Sequence, residues 1–121
     1  MFKKGNIGTI LIKTTNFWIL NHLKKSKKHF DPGLLSSVNR EAISYFGSEN
    51  QKLKLVEELG ELQRAVTKDL MGFRDEENIL EALADCYIML DQYMRIHDFS
   101  AQALSDKIDK RLVRLQGRME G

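Results

Sequence analysis

Acidic side chains in two short stretches have the type and spacing for metal-assisted chemistry. In Glu57-Glu58-Leu59-Gly60-Glu61, Glu58 and Glu61 are three residues apart, so on a helix they project from neighbouring positions and can share a cation. Taken alone, the pair reads first as a solvated face, with Lys54 as an ordinary i,i+4 partner of Glu58. Further along, Asp85 is the only acid in Ala82-Leu83-Ala84-Asp85-Cys86-Tyr87-Ile88-Met89-Leu90. That run is apolar on every side apart from the tyrosine hydroxyl, a pattern expected of a helix buried all round. A carboxylate in such a setting needs a partner, because an isolated buried one takes up a proton. A capping amide or an arginine would serve. So would a divalent cation held jointly with carboxylates from a facing helix, and hard oxygen donors suit Mg²⁺. Glu81 stands one turn before Asp85, about 40° off its direction, and can join such a site.

These residues must be positioned by helices. Leu35, Val38, Ala42, Ile43 and Phe46 recur at helical spacing, and Gly47 stops that segment. Ser48-Glu49-Asn50-Gln51 has the form of a capping box opening a second helix, which runs to about Leu70 with Val56, Leu59, Gln63, Val66 and Leu70 on one stripe. On that phase Glu58 lies at the stripe's edge and Glu61 nearly opposite. Met71-Gly72-Phe73 ends the helix, Asp75 caps a third that reaches about His97, and Ser100 caps a fourth. The last helix carries Ala101, Leu104, Ile108, Leu112 and Leu115 at spacings of three and four, with Arg111, Arg114 and Arg118 toward its C-terminus. Short connections favour antiparallel neighbours. The fold class is therefore all-α: an antiparallel helical bundle, with an apolar surplus on two helices that a second copy of the chain would cover.

The 121 residues leave room for one domain. The net charge of +2 hides a division: residues 1–30 carry seven lysines and no acid, while the remainder carries more acids than bases. Residues 1–33 are read as a basic N-terminal extension, irregular or partly extended, and 34–121 as the helical domain. Within the extension, 8–12 is strand-like, 16–23 suits a short helix and 24–28 is a solvated charge run; Asp31-Pro32-Gly33 marks the turn that closes it. Because the body is acidic, a nucleic-acid partner is not expected. No segment is long enough to span a bilayer, and Cys86 is the sole cysteine, so a cytoplasmic, reducing setting without membrane partners is expected. Cys86 itself reads as an inert core thiol, His97 as a helix-end side chain meeting free carbonyls, and the aromatic residues mainly as core.

The stretch Glu57-Glu58-Leu59-Gly60-Glu61, a gap of about twenty residues, and then Asn78-Ile79-Leu80-Glu81-Ala82-Leu83-Ala84-Asp85-Cys86-Tyr87-Ile88-Met89-Leu90 resembles the two acidic helices of the MazG-like, all-α nucleotide pyrophosphohydrolases. The resemblance covers roughly 38–118. It implies a bundle assembled as a homodimer or homotetramer, and Mg²⁺-dependent hydrolysis of a nucleoside triphosphate to a monophosphate and pyrophosphate. The family's ExxE followed by ExxD maps onto Glu58 and Glu61, then Ala82 and Asp85. Ala82 is a departure, since a methyl group cannot ligate metal. Either Glu81 swings toward the vacancy, or metal is held weakly and the chain is a nucleotide-binding or oligomerisation module without catalysis. On the first alternative Glu58, Glu61 and Asp85 are the catalytic set and hold the metal with Glu81 or Glu57, while Lys54, Lys107, Lys110 and Arg111 are candidate phosphate contacts.

Overall fold

The structure is a computed structural model and describes residues 30–121. The expected strand-like 8–12, helical 16–23 and lysine run 24–28 lie outside the described residues. Four α-helices follow, and the described residues contain no strand: α1 Pro32–Phe46, α2 Ser48–Leu70, α3 Glu76–Ile96 and α4 Ala101–Glu120.

Local chemistry sets the ends. Asp31-Pro32-Gly33 is the start of α1 rather than a separate turn: the Asp31 carboxylate accepts from the Gly33 amide at 2.8 Å, and Pro32 occupies the first turn, where its missing N–H costs nothing. Gly47 stops α1 as expected, with φ at 89° and its amide donating to the Ile43 carbonyl. The capping box does not form. Ser48 is already the first helical residue of α2, Gly47 is the N-cap, and no side chain caps the end. With α1 and α2 separated by one residue there is no extended segment from which Ser48 can cap, and Gln51 turns inward instead. At the far end of α2, the Phe73 amide donates to the Lys68 carbonyl and the Gly72 amide to that of Asp69, a Schellman closure with Gly72 at φ 88°. Asp75 caps α3 through the Asn78 amide, and Ser100 caps α4 through that of Ala103, each at 3.1 Å.

Residues Asp31–Asp98 form one compact unit. Within it α2 and α3 are the main packed pair, with α1 against both. Two bonds show that α2 and α3 run antiparallel: Gln51 reaches Gln92, and the Cys86 thiol donates to the carbonyl of Glu58. The buried seam is Gln51, Leu55, Glu58 and Ala65 on α2 against Ala82, Cys86, Met89 and Gln92 on α3, with Leu62 and Ile79 half-buried between them. These positions recur every three or four residues, the spacing that keeps one face toward a neighbouring helix.

This is not the stripe that hydrophobicity picks out. Val56 is 67% exposed and Leu70 83%, and Leu59 and Val66 are also open, so the most apolar face of α2 is one position out of phase with its packed face. On α1 Val38 and Phe46 are likewise exposed, while the fully buried residue is Asn39. Nor is α3 covered all round. Leu80, Leu83, Ile88 and Leu90 remain exposed, and burial is confined to the seam. A three-helix unit has one interior, and each helix can give it only one face.

A polar cluster occupies that interior at one level. The Asn39 amide donates to the Ile88 carbonyl at 3.2 Å and to Asp91 at 2.8 Å. Gln92 donates to Asn39 at 2.9 Å, and Gln51 donates to Gln92 at 2.7 Å. Asp91 also accepts from Arg95 at 2.7 Å. Buried amides linked in this way tie all three helices to one register, since sliding any of them would leave polar groups unpaired.

Helix α4 belongs to a second unit, which includes Phe99–Gly121. Leu104 and Ile108 are half-buried there, and Leu112 and Leu115 are exposed. No described helix is long and apolar enough to cross a membrane.

Candidate functional site

The register of α2 and α3 fixes where the acids fall. At about 100° per residue, the positions one step before the seam residues look to one side of the hairpin, and the positions one step after look to the other. Because the helices are antiparallel, the same sign of step leads both to the same side. Glu57 and Glu61 precede the seam residues Glu58 and Leu62, and Glu81 and Asp85 precede Ala82 and Cys86. All four are exposed and lie on one side. The apolar residues Val56, Leu59, Val66, Leu80, Leu83 and Leu90 follow seam positions and therefore lie on the opposite side. Helix α1 lies on the acidic side, where Asn39 meets Ile88 and Asp91.

Glu58 is unlike the other acids. It sits in the seam, with its side chain only 11% exposed, and its carboxylate reaches the Lys54 ammonium at 3.1 Å. Lys54 is also 3.2 Å from Glu57. The two glutamates thus converge on one cation and hold the Lys54 pKa above its ordinary value, with the hydrogen bond that Lys54 donates to Glu58 as the largest cause. Glu61 pairs with Arg64, three residues on, a partner visible in the sequence as an i,i+3 neighbour. Glu81 and Asp85 form no ion pair with a described residue.

Cys86 reports on the same region. Burial pushes its thiol pKa up, and the charges of Glu58 and Asp85 push it further the same way. The effect of Asp85 is that of the adjacent residue on the same helix, while that of Glu58 comes from α2. The expectation of an inert core thiol agrees with its burial and with its hydrogen bond to Glu58.

Two expectations are corrected. Asp85 is exposed, so it is a hydrated carboxylate in this chain and needs no buried partner. Glu58 lies in the packed seam rather than at a stripe's edge, because the packed face is the phase of Leu55 and Ala65. Ala82 is 6% exposed and faces inward, whereas Glu81 points outward, one position away on the helix. Ala82 thus lies in the α2–α3 seam and Glu81 outside it.

As donors, these groups suit a hard divalent ion: all are carboxylate oxygens, and Glu57 and Glu58 already share a cation in the Lys54 ammonium. The grouping is nevertheless incomplete, for among the described residues no three acidic, histidine or cysteine side chains come together closely enough to hold a metal. Glu57, Glu58 and Asp85 are the residues that would have to do so. Of the other candidate cations, Lys107 and Arg111 line a groove of about 470 Å³ along α4 with Leu104, Ile108 and Leu115, and Lys110 is not among its described lining. They belong to the second unit.

The polar cluster of Asn39, Gln51 and Gln92 escaped the sequence reading. Its signal was present: Gln51 is in phase with Leu55, and Gln92 with Met89, so polar residues occupied packing positions of helices whose true phase was not recognised.

No protein-family model, curated protein or solved structure matches this chain.

Proposed function

We propose that the chain is a Mg²⁺-dependent nucleoside triphosphate pyrophosphohydrolase of the MazG-like kind, acting in the cytoplasm as a homodimer or homotetramer and releasing a nucleoside monophosphate and pyrophosphate. One observation supports the reading: Glu58 is held almost dry in the α2–α3 seam, and it shares the Lys54 ammonium with Glu57. A carboxylate with that little water favours positive charge beside it, and two carboxylates that already share one cation are donors of the type that suits a hard divalent ion.

When bound, Mg²⁺ supplies neutralisation of the triphosphate and a more acidic water. The chain's own residues do the rest. Glu57, Glu58 and Asp85 would hold the ion, and Glu61 would orient a water toward phosphorus. Lys54 offers its ammonium to a phosphate oxygen. The reading rests on α2 and α3 alone, and with Ala82 in place of a carboxylate the catalytic set is one donor short. Pyrophosphate release from a panel of canonical and modified triphosphates, measured with and without Mg²⁺, tests it. Detectable turnover that Asp85→Asn removes supports the assignment; no hydrolysis and no nucleotide binding by either the natural chain or Ala82→Glu overturns it.

A second reading, a non-catalytic oligomerisation module, is favoured by the open apolar side of the hairpin, where Val56, Leu59, Val66, Leu80, Leu83 and Leu90 have no cover within the unit. It predicts a stable oligomer whose melting temperature is indifferent to Mg²⁺ and nucleotide.

A further inference from the structure

Charge is divided unevenly along the chain. Asp31–Asp98 carries 14 acids against seven Lys and Arg, whereas the residues outside it carry 12 Lys and Arg against three acids. On α4 the excess is arranged in a row. Lys107, Arg111, Arg114 and Arg118 follow one another at four, three and four residues, which puts them within an arc of about 60° and along about 16 Å of one face. All four are exposed and line the groove along α4, and none forms an ion pair with a described residue. By contrast, Lys52, Lys54 and Arg64 on α2 are each paired within their own helix. The acids of α4, Asp106, Asp109 and Glu120, centre about 140° away from the row. Residues 1–30 contain no acid, so they cannot supply the missing charge either.

We propose that this face of α4 binds the sugar–phosphate backbone of a nucleic acid without reading its sequence; the proposal is independent of the metal-dependent reading above. A backbone is a row of regularly spaced anions, and one strand of a duplex presents a phosphate about every 3.4 Å of axis, so the row on α4 spans about five of them. Binding releases the counter-ions condensed on those phosphates, and cations without acids of their own gain most from it. Three of the four are arginines, whose planar fork matches phosphate oxygens. No aromatic side chain is among the groove's described lining, so nothing there stacks on a base, and the contact is with phosphates. An anionic bilayer fits less well. The apolar stripe of Leu104, Ile108, Leu112 and Leu115 has cations on one flank only, with Asp109 and Glu120 on the other, so a helix lying flat on lipid would bring acids to the headgroups too. The expectation against a nucleic-acid partner rested on the acids of the body, all but three of which lie in Asp31–Asp98.

The test is fluorescence anisotropy of a labelled DNA duplex of about 20 base pairs, and of a single-stranded RNA of the same length, with the full chain in metal-free buffer between about 50 and 200 mM salt. With four phosphate contacts, the affinity of the natural chain for the duplex should fall about a hundredfold over that range. Arg111→Gln combined with Arg114→Gln leaves two contacts, so it should bind about tenfold more weakly at the low-salt end and lose only about tenfold more on going to the high-salt end. Both residues are exposed, so helix content by circular dichroism should not change. If the double variant binds as tightly as the natural chain and with the same salt dependence, α4 is not the site and the proposal is wrong. Binding to neither nucleic acid at about 50 mM salt overturns it as well. Should phosphatidylserine–phosphatidylcholine vesicles bind in their place, the partner is a bilayer and not a nucleic acid. None of these outcomes touches the metal reading, which belongs to α2 and α3.

Discussion

Two levels of the same hairpin treat polar side chains in opposite ways. Around Asn39, Gln51 and Gln92 the groups are mostly neutral amides, and the one charged pair, Asp91 with Arg95, is joined to them. Two turns along α2, the acidic level sets Glu57, Glu58, Glu61, Glu81 and Asp85 against, among the described residues, Lys54 and Arg64. Amides that satisfy one another fix a register and have nothing left for a ligand. Carboxylates in excess of their cations contribute little to stability and keep capacity for an ion from outside. The first level accounts for which structure forms, and the second is where the proposed function would reside.

The largest effect should come from the amide level. Asn39→Leu removes the link between three helices and leaves Gln92 and the Ile88 carbonyl short of a partner, so urea unfolding should show a loss of about 2–4 kcal/mol. A loss under about 0.5 kcal/mol would mean the cluster does not set the register. At the acidic level Asp85→Asn should do the reverse: stability within about 0.5 kcal/mol of the natural chain, but pyrophosphate release down by about a hundredfold. Equal damage to both would erase the distinction between the two levels.

Ala82→Glu joins them. Its carboxylate would enter the closed seam beside Glu58, so the melting temperature should drop by several degrees in metal-free buffer, a cost of about 1–3 kcal/mol, and recover in part with Mn²⁺. No recovery would show that the seam rejects a carboxylate whatever cation is offered.

The smallest effect concerns Cys86. Its pKa in the folded chain is raised above the ordinary 9.0, so up to about that pH folded and unfolded chains both carry the neutral thiol and stability does not change on its account. Above it the unfolded chain loses the proton first, and stability should decline until the folded thiol also ionises. Cys86→Ala should flatten that alkaline decline, as followed by melts between pH 8 and 10; an unchanged slope would assign the decline to other groups.

Much of the architecture was legible from short-range chemistry. Gly47, Gly72, Asp75 and Ser100 act where their residue types place them, because a positive φ or a capping oxygen depends on only a few neighbouring residues. The acids of α2 and α3 were legible for the same reason, as spacings along single helices. Phase was not. Val56, Leu59, Val66 and Leu70 make the more hydrophobic stripe of α2, yet Gln51, Leu55, Glu58 and Ala65 are the residues inside.

Residue order along the chain thus specified the helices, their ends and the presence of two acidic turns, all of which follow from interactions within a few residues. Which face of each helix turns inward was settled by packing. Two apolar or mixed faces compete on each rod, and the choice depends on partners about forty or fifty residues away, here the amides that join Asn39, Gln51 and Gln92. That choice put Glu58 indoors, Asp85 in water and Ala82 against α2, and so gave one pattern of acids its unequal chemistry.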